Sequence, residues 1–305
     1  MLDSDSENLD ELVVVGYGVQ KKVNVIGSVS SIDSKLLESR ANGDVANMLS
    51  GLMPGVSVTQ SSGNPGQDEG TIRVRGVGSF GATPSPLVLI DGVPGSMSEL
   101  TPAEIDNISV LKDASSAAIY GSRAANGVIL ITTKKGRESR AVVNYNGTVG
   151  LARATTLPDF AHSYEYAEYY NMAVGTQTYT PEMIEKYRNG SDPDNYADEL
   201  YLKKLLGGNA VNTKHEFSVT GGTKSVRYMV ALGYLRQNGL LPQNYFNRYN
   251  GRANLNIDIA KNLQLNVKLA GSISDRHEPS TPGALDIGGY AVIITMAARF
   301  PGLTA

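Results

Sequence analysis

The sequence predicts an α+β domain followed by the first strands of an antiparallel transmembrane β-barrel. Two observations support this prediction. The first 135 residues are rich in Gly, Ser and Val and alternate short apolar runs with turn signals, whereas 18 of the 21 aromatic residues lie after Gly136. Segments after Gly136 carry one apolar and one polar face over about ten residues, which is typical of outer-membrane barrels.

Composition excludes several classes of function. The chain of 305 residues has no cysteine, so disulfides, thiolate metal sites and a cysteine nucleophile are excluded. His162, His215 and His277 lie far apart without ligand spacing, so neither a metal site nor a cofactor is expected. Net charge is -3 and the basic residues are scattered, which argues against a nucleic-acid partner. Nothing in the sequence indicates an enzyme.

The first 18 residues are predicted to form a tether that ends in an apolar strand. Residues 1–10 are acidic and polar and lack the apolar run of a secretion signal, so an exported protein would begin upstream of Met1. The segment that follows can add as a strand to the sheet edge of a partner, although an ordinary first strand is the alternative. It comprises Glu11, Leu12, Val13, Val14, Val15, Gly16, Tyr17 and Gly18.

Residues 19–135 are predicted to form the α+β domain. Weak alternation predicts a strand within Val23–Ile32, and apolar residues at helical spacing predict a helix over Asn42–Leu52. Further strands are predicted at Val56–Thr59, Thr71–Gly76 and Leu87–Ile90. Thr101-Pro102-Ala103-Glu104 has the order of a capping box and predicts the start of another helix.

Two glycine-containing motifs lie in this domain. Gly76 begins a G-x-G-x-x-G string, but two prolines follow it where a phosphate-binding helix would start, which argues against dinucleotide binding. Asp91 and Gly92 form a turn of the D-G type.

Arg73 and Arg75 share one strand face, which requires either carboxylate partners or a solvated surface.

The stretch 107–135 predicts a strand, a helical turn and a second strand. Small residues at Ala114–Tyr120 favour the helix, and Gly121 is a suitable stop because it tolerates a positive φ. Gly127 then opens the sequence VILITT, a strand that is expected to be buried on at least one side.

The string VLKDASSAAIYGSRAANGVILITTKKG, residues 110–136, resembles the plug domain of TonB-dependent outer-membrane transporters of the SusC/RagA type. This resemblance implies that Glu11–Gly18 is the TonB box, which the periplasmic protein TonB grasps. It also implies that the two arginines face acidic groups on the inner barrel wall. The residues that it assigns to the plug motif are Arg73, Arg75, Gly76, Asp91, Gly92, Asp113, Tyr120, Gly121, Arg123, Asn126 and Gly127.

Residues 136–305 are predicted to supply the barrel strands. Apolar residues alternate with polar ones in the segments 141–151, 252–259 and 263–269, and a hairpin lies between the first two of these segments. A soluble sandwich also alternates, but strand length, asparagine-rich second faces and the tyrosine content favour the barrel.

Residues 158–208 interrupt this pattern and are predicted to form a long extracellular loop. Helices are predicted at Ser163–Val174 and Glu182–Arg188, the second capped by Thr180. Several tyrosines in the loop could stack on sugars, but packing within the loop is the favoured interpretation. They are Tyr164, Tyr166, Tyr169 and Tyr170.

Barrels of the resembled family have about 22 strands, and only 169 residues follow Gly136. Five or six strands are therefore expected, in an N-terminal fragment that lacks its signal peptide and the rest of the barrel.

The resemblance further implies active import of a glycan or an oligopeptide across a Gram-negative, Bacteroidetes-like outer membrane. Energy would come through TonB with ExbB and ExbD, a SusD-like lipoprotein would act as a partner, and membrane lipid would surround the strands. A siderophore or cobalamin receptor is the alternative within this class. A soluble periplasmic binding or signalling module is the alternative outside it.

Overall fold

The computed structural model describes residues 12–15, 18–21, 29–33, 36–37, 40, 43–74, 85–113, 117–260 and 262–278. In chain order, the elements before Gly136 are β1 (Leu12–Val15), β2 (Gly18–Lys21), β3 (Val29–Asp33), α1 (Val45–Met48), β4 (Val56–Gln60), β5 (Gly70–Val74), β6 (Leu87–Ile90), β7 (Val93–Pro94), β8 (Ile105–Leu111) and β9 (Val128–Thr133).

The centre of this part is a five-stranded mixed sheet in the order β3-β8-β9-β6-β7. Strands β6 and β9 are parallel, and the pairs β3-β8, β8-β9 and β6-β7 are antiparallel. Two separate hairpins, β1-β2 and β4-β5, complete the described strands before Gly136. The predictions of strands at Val56–Thr59 and Leu87–Ile90 are confirmed by β4 and β6.

Both faces of the mixed sheet are covered by apolar side chains. Along β9, Ile129 and Ile131 join one cluster, which includes Met48 and Leu49 from the region of α1. Val128 and Leu130 point to the other face, where they join a second cluster. This alternation follows from the two-residue period of a strand and makes β9 the buried centre of the domain.

Two helical predictions in this part need correction, and a third is confirmed. Helix α1 is only four residues long because Asp44 caps its start, accepting a bond from Asn47 N at 3.0 Å, and Gly51 turns the chain at φ 74 soon after its end. The capping-box motif forms a single 3-10 turn, Pro102–Glu104, because the chain turns extended at Ile105 to enter β8. Gly121 is confirmed as a stop: its φ of 69 and ψ of -156 are non-helical, and they break the 3-10 segment Ala118–Ala124 at a kink between two turns.

The elements after Gly136 are β10 (Ser139–Ala152), α2 (Ser163–Val174), α3 (Pro181–Asn189), α4 (Tyr201–Leu206), β11 (Ala210–Gly222), β12 (Val226–Asn238), β13 (Tyr245–Ala260) and β14 (Leu263–His277). The strands form one antiparallel meander in the order β10-β11-β12-β13-β14. The sheet is open, since neither β10 nor β14 pairs with a further strand of the described chain.

The meander exposes apolar side chains on one face and buries polar side chains on the other, which is the reverse of a soluble protein. Many of its large apolar side chains are exposed, as at Val149 and Leu151, which keep 70% and 72% of their surface accessible, although Met229, Ala231 and Leu235 of β12 are buried. On the opposite face, polar side chains of β13 such as Arg252 and Asn254 are buried. A soluble sandwich would bury the apolar face, so this inversion is the arrangement expected of barrel strands that face lipid.

The described residues group into two compact units. One comprises the described residues up to Gly150 with Thr213–Gln237 and Phe246–Asp275, and the other comprises Leu151–Asn212, Asn238–Tyr245 and the described residues from Arg276 onward. The first unit contains the mixed sheet and most of the meander. The second contains the three helices α2, α3 and α4.

The insertion confirms the two predicted helices as α2 and α3. Helix α4 was not predicted, because Leu200 at its N-cap position supplies no side-chain cap. Ring contacts connect a series of tyrosines within the insertion, which confirms that most of them pack their own loop, although Tyr169 remains 64% exposed. The connected rings are Tyr166, Tyr170, Tyr179, Tyr187 and Tyr196.

Candidate functional site: the polar interface between the mixed sheet and the meander

Strand β13 presents a row of buried polar side chains to the domain that precedes Gly136. Because side chains alternate along a strand, Arg248, Asn250, Arg252 and Asn254 share one face. All four are at most 9% exposed. Each contacts a group in residues 43–134, so one strand holds the domain along much of its length.

The first two residues of the row bind main-chain carbonyls. Arg248 Nη2 donates to Gly43 O at 3.1 Å, and Nη1 donates to Ser98 O. Asn250 Nδ2 donates to Glu99 O at 2.6 Å, and Asn250 Oδ1 accepts a bond from Arg248 Nε at 3.0 Å. A buried guanidinium must find several acceptors, and here all of those named are neutral.

An ion pair forms the centre of the row. Arg252 Nε lies 2.7 Å from Glu104 Oε2, and both side chains are almost fully buried. Thr101 Oγ1 donates to the other oxygen of Glu104 at 3.0 Å. The carboxylate therefore has a partner on each oxygen, which is what makes its burial tolerable.

The last residue of the row reaches the end of β9. Asn254 Nδ2 donates to Thr133 Oγ1 at 2.9 Å and to Lys134 O at 2.7 Å. Thr133 in turn donates from its N–H to Asp91 Oδ1 at 3.0 Å, and Lys268 of β14 lies 3.2 Å from Asp91 Oδ2. Asp91 thus links the turn after β6 to β9 and to the meander.

Strand β12 contacts the loop that precedes β5. Gln237 accepts a bond from Gly66 N at 3.2 Å and donates to Asp68 Oδ2 at 2.7 Å. Phe246 lies against Gly66, where an added Cβ would approach its ring within 2.4 Å.

A polar cavity of about 250 Å³ adjoins these contacts and is also lined by Asp44. Burial raises the pKa of Asp44, and the backbone bonds from Asn47 and Gly70 only partly offset this.

The predicted plug-motif residues fall into two groups. Asp91, Gly92 and Gly127 take structural roles at turns: Asp91 and Gly92 have positive φ values of 51 and 89, and Gly127 has a φ of 93. A Cβ on Gly127 would lie 3.1 Å from the Cβ of Val74, so the glycine permits close packing. Asp113 and Asn126 are half-buried next to this region.

The remaining motif residues lie away from the interface row. Tyr120 packs at the edge of the second apolar cluster, and Arg123 is exposed. Arg73 is exposed opposite Ser57, and it makes no ion pair with another residue of the described ranges. The pairing that the resemblance implies between this arginine and carboxylates of the barrel wall stays a prediction. In the described interface the carboxylate comes from Glu104 of the plug and the arginine is Arg252 of the meander. Arg75 and Gly76 lie outside the described residues.

The segment predicted to bind TonB is only partly described. Leu12–Val15 forms β1 and pairs with β2 in an antiparallel hairpin, with Val15 opposite Gly18. Glu11, Gly16 and Tyr17 lie outside the described residues. In the part of the chain that is described, the second edge of β1 pairs with no other strand.

Sequence reasoning missed Glu104 and the β13 row as functional residues. The sequence pattern places Glu104 in a helix cap, and it identifies the polar residues of β13 only as one face of a strand. The signal available was the spacing Arg248, Asn250, Arg252, Asn254, because two arginines on one strand face require acceptors when that face is covered.

Within the described ranges, no helix is long and apolar enough to cross a membrane. Nor do these residues bring together three or more His, Asp or Glu side chains that could hold a metal ion.

Comparison with known proteins agrees with this architecture. Residues 21–128 match the family model of the TonB-dependent Receptor Plug Domain. The chain is 38% identical over 266 residues to TonB-dependent receptor SusC of Bacteroides thetaiotaomicron, covering 84% of this chain and 25% of that protein. It is 33% identical over 300 residues to TonB-dependent receptor P3 of Formosa agariphila, covering 98% and 28%. The chain thus spans about a quarter of the length of these relatives.

A solved structure of the RagAB peptide importer in its open-open state superposes with a TM-score of 0.77 at 28% identity, covering 91% of this chain and 34% of that one. A plug domain followed by an open sheet of barrel strands defines a TonB-dependent receptor. Within that class, the chain belongs to the SusC/RagA type. Proteins of this class are transporters and receptors rather than enzymes.

Proposed function

We propose that this chain supplies the gate and the first wall strands for TonB-dependent active import of a glycan or an oligopeptide across the outer membrane. The observation that carries the proposal is the polar row of β13. The contacts across it are hydrogen bonds and ion pairs, which water can replace when the surfaces separate. Such an interface holds a plug in register and still allows it to move.

The chain is proposed to divide by function into a tether at 1–18, a plug at 19–135 and barrel strands at 136–305. The insertion at 158–208 would face the outside of the cell. Similarity to SusC at 38% identity and to a peptide importer supports the choice of substrate class. A SusD-like lipoprotein is the proposed partner on that side.

The proposed point of energy input is Glu11–Gly18. Because one edge of β1 is paired with β2 and its other edge has no partner in the described chain, TonB could add a strand there. ExbB and ExbD would drive TonB, as the membership in this class implies.

The test is binding of the periplasmic domain of TonB to the detergent-solubilised protein that carries this chain. Val14→Pro removes a main-chain donor that strand addition requires, so it is expected to abolish binding. Val14→Ala keeps that donor and is expected to bind. Absence of TonB binding to the unchanged protein, or equal binding by the proline variant, would contradict the proposed mechanism.

A further inference from the structure

We propose that the outward face of the meander meets the lipid headgroups of the outer leaflet along a row of stacked rings, one from each of the strands β10 to β13. The rings belong to Tyr145, His215, Tyr234 and Tyr249. This inference goes beyond the proposed import function, because it depends neither on the substrate nor on TonB. It places one boundary of the membrane on named residues of the chain.

The ring row crosses neighbouring strands of the meander. His215 and Tyr234 are directly opposite each other in the register of β11 and β12, and their ring centroids are 6.2 Å apart. Tyr249 of β13 stacks on Tyr234 at 5.0 Å, and Tyr145 of β10 stacks on His215 at 6.2 Å. Tyr145 and Tyr249 are 66% and 53% exposed, so the row lies on the outer surface of the meander.

Polar atoms of the ring row have hydrogen-bond partners on the same face. Tyr145 Oη lies 2.7 Å from His215 Nδ1, and Tyr234 Oη donates to Asn247 Oδ1 at 3.5 Å. Tyrosine is enriched at membrane–water interfaces because its ring is apolar and its hydroxyl is polar. An imidazole is costly in the hydrocarbon core and is tolerated among headgroups, so His215 also fits this layer.

On one side of the ring row, the outward face carries no charged residue in β12 or β13. Because side chains alternate along a strand, every second residue after Tyr249 shares its face. These residues are Gly251, Ala253, Leu255, Ile257 and Ile259, and their counterparts on β12 are Leu232, Val230, Tyr228 and Val226.

The length of this uncharged face matches a membrane. From Tyr249 to Ile259 the strand covers about 34 Å, at about 3.4 Å per residue. With a strand tilt of about 40°, this length gives about 26 Å along the membrane normal, close to the apolar band of about 25 Å in outer-membrane barrels.

On the other side of the ring row, polar side chains begin at once. The next outward residue is Arg236 on β12 and Asn247 on β13. On β14 the apolar outward positions end at Ile273, which is 75% exposed, and Asp275 follows. Residues of both charge signs therefore lie just beyond the row, as expected where the hydrocarbon ends and the headgroups begin.

The ring row lies toward the ends of the strands that carry the longer connections. At these ends residues 239–244 join β12 to β13 and the insertion joins β10 to β11, whereas residues 223–225 and 261–262 make the connections at the opposite ends. Outer-membrane barrels have short turns on the periplasmic side and longer loops outside the cell. The row is therefore assigned to the outer leaflet.

Tryptophan fluorescence tests the depth of the row, because this chain has no tryptophan of its own. The protein that carries the chain is reconstituted in phosphatidylcholine with bromine either near the headgroup or near the end of the acyl chains, and the signal of the unchanged protein is subtracted. Bromine near the headgroup should quench Tyr249→Trp more strongly than bromine near the chain end. For Leu255→Trp, in the middle of the uncharged face, the order should be reversed.

Asn256→Trp is the matched control for this measurement. It neighbours Leu255 but points to the opposite face, so neither lipid should quench it. Quenching of Tyr249→Trp that is equal from both lipids, stronger from the chain end, or absent would overturn the inference.

Cysteine labelling tests the side of the membrane, since the chain also lacks cysteine. Pro242 and Lys224 are exposed residues in the two connections at opposite ends of β12. A polymer-linked maleimide added to intact cells should label Pro242→Cys, and it should label Lys224→Cys only after the outer membrane is broken. Labelling of Lys224→Cys in intact cells, or none of Pro242→Cys, would overturn the assignment to the outer leaflet. Neither measurement uses TonB binding or uptake, so a failure of the import proposal is distinguishable from a failure of this inference.

Discussion

Arg252 and Glu104 form an ion pair of 2.7 Å in which the side chains are only 8% and 2% exposed. The arginine belongs to a barrel strand and the glutamate to the plug, so the pair crosses the surface along which a gate would have to move. Both charges are removed from water. The stability of the ion pair therefore depends on the contact between the two side chains and on the hydrogen bond that Thr101 donates to Glu104.

Removal of one partner is expected to be costly. Arg252→Ala leaves Glu104 buried without its cation, and the expected loss in the free energy of unfolding is about 3–5 kcal/mol. Glu104→Ala should have a comparable effect for the same reason. The double variant should lose less than the sum of the two, and urea unfolding of the detergent-solubilised protein measures all three. Strict additivity would show that the pair is not coupled.

The second plug-to-wall ion pair is expected to behave differently. Lys268 lies 3.2 Å from Asp91, but the lysine side chain is 37% exposed. Lys268→Ala should therefore cost less than about 1 kcal/mol, as exposed pairs do. Asp91→Ala should cost more, about 1–3 kcal/mol, because Thr133 N and Oγ1 both lose their acceptor. If both variants lost the same free energy of unfolding in this assay, Asp91 would stabilise the protein through the ion pair with Lys268 alone.

The raised pKa of the buried Asp44 side chain predicts that the stability of the protein depends on pH. Burial raises its folded-state pKa above the ordinary value of 3.8, so the folded protein retains a proton that the unfolded chain releases. The resulting stabilisation is complete below pH 3.8 and is lost as pH rises through the raised pKa. Asp44→Asn keeps the acceptor for Asn47 N but cannot titrate, so the fall in melting temperature between about pH 4 and pH 8 should be smaller than in the unchanged protein. Parallel pH profiles would contradict this assignment.

Much of the fold was predictable because local patterns and tertiary packing agree. The strands β4 and β6 and the helices α2 and α3 follow from periodicity and caps, as at Thr180, which accepts a bond from Met183 N. Predictions failed where a strand competed with a helix. Glu104 lies in a capping-box motif, but the pairing of the next residues with β9 in the mixed sheet limits the helix to one turn.

The polar interface was less predictable because its partners are far apart in the chain. Arg252 and Glu104 are separated by 148 positions, and Gln237 and Gly66 by 171. A single strand pattern identifies the polar face of β13, but it does not identify the groups that cover it. Arg73 shows the same limit, since the strand pattern predicted its strand but did not decide between carboxylate partners and a solvated surface.

The contact between Gly66 and Phe246 predicts how closely the plug must approach the wall. Gly66 has a φ of 69, and a Cβ there would lie 2.4 Å from Phe246 Cδ2. Gly66→Ala should cost about 1–2 kcal/mol from the left-handed backbone alone, with a further loss from the displaced ring. Gly63→Ala is the matched control, because a Cβ there meets nothing within 4 Å, and its effect should stay within about 0.5 kcal/mol.

Adding Phe246→Ala to Gly66→Ala separates the two causes. In the double variant the clash between the new Cβ and the ring is removed, so that part of the lost free energy of unfolding should be recovered. The cost of deleting the ring itself is added. The cost of the left-handed backbone remains, because φ is unchanged. Urea unfolding of the two single variants and the double variant gives the coupling free energy, which should favour the double variant over the sum of the singles. Additive losses would mean that the loop around Gly66 can move away from β13 without penalty, and Gln237 alone would then hold it to the wall.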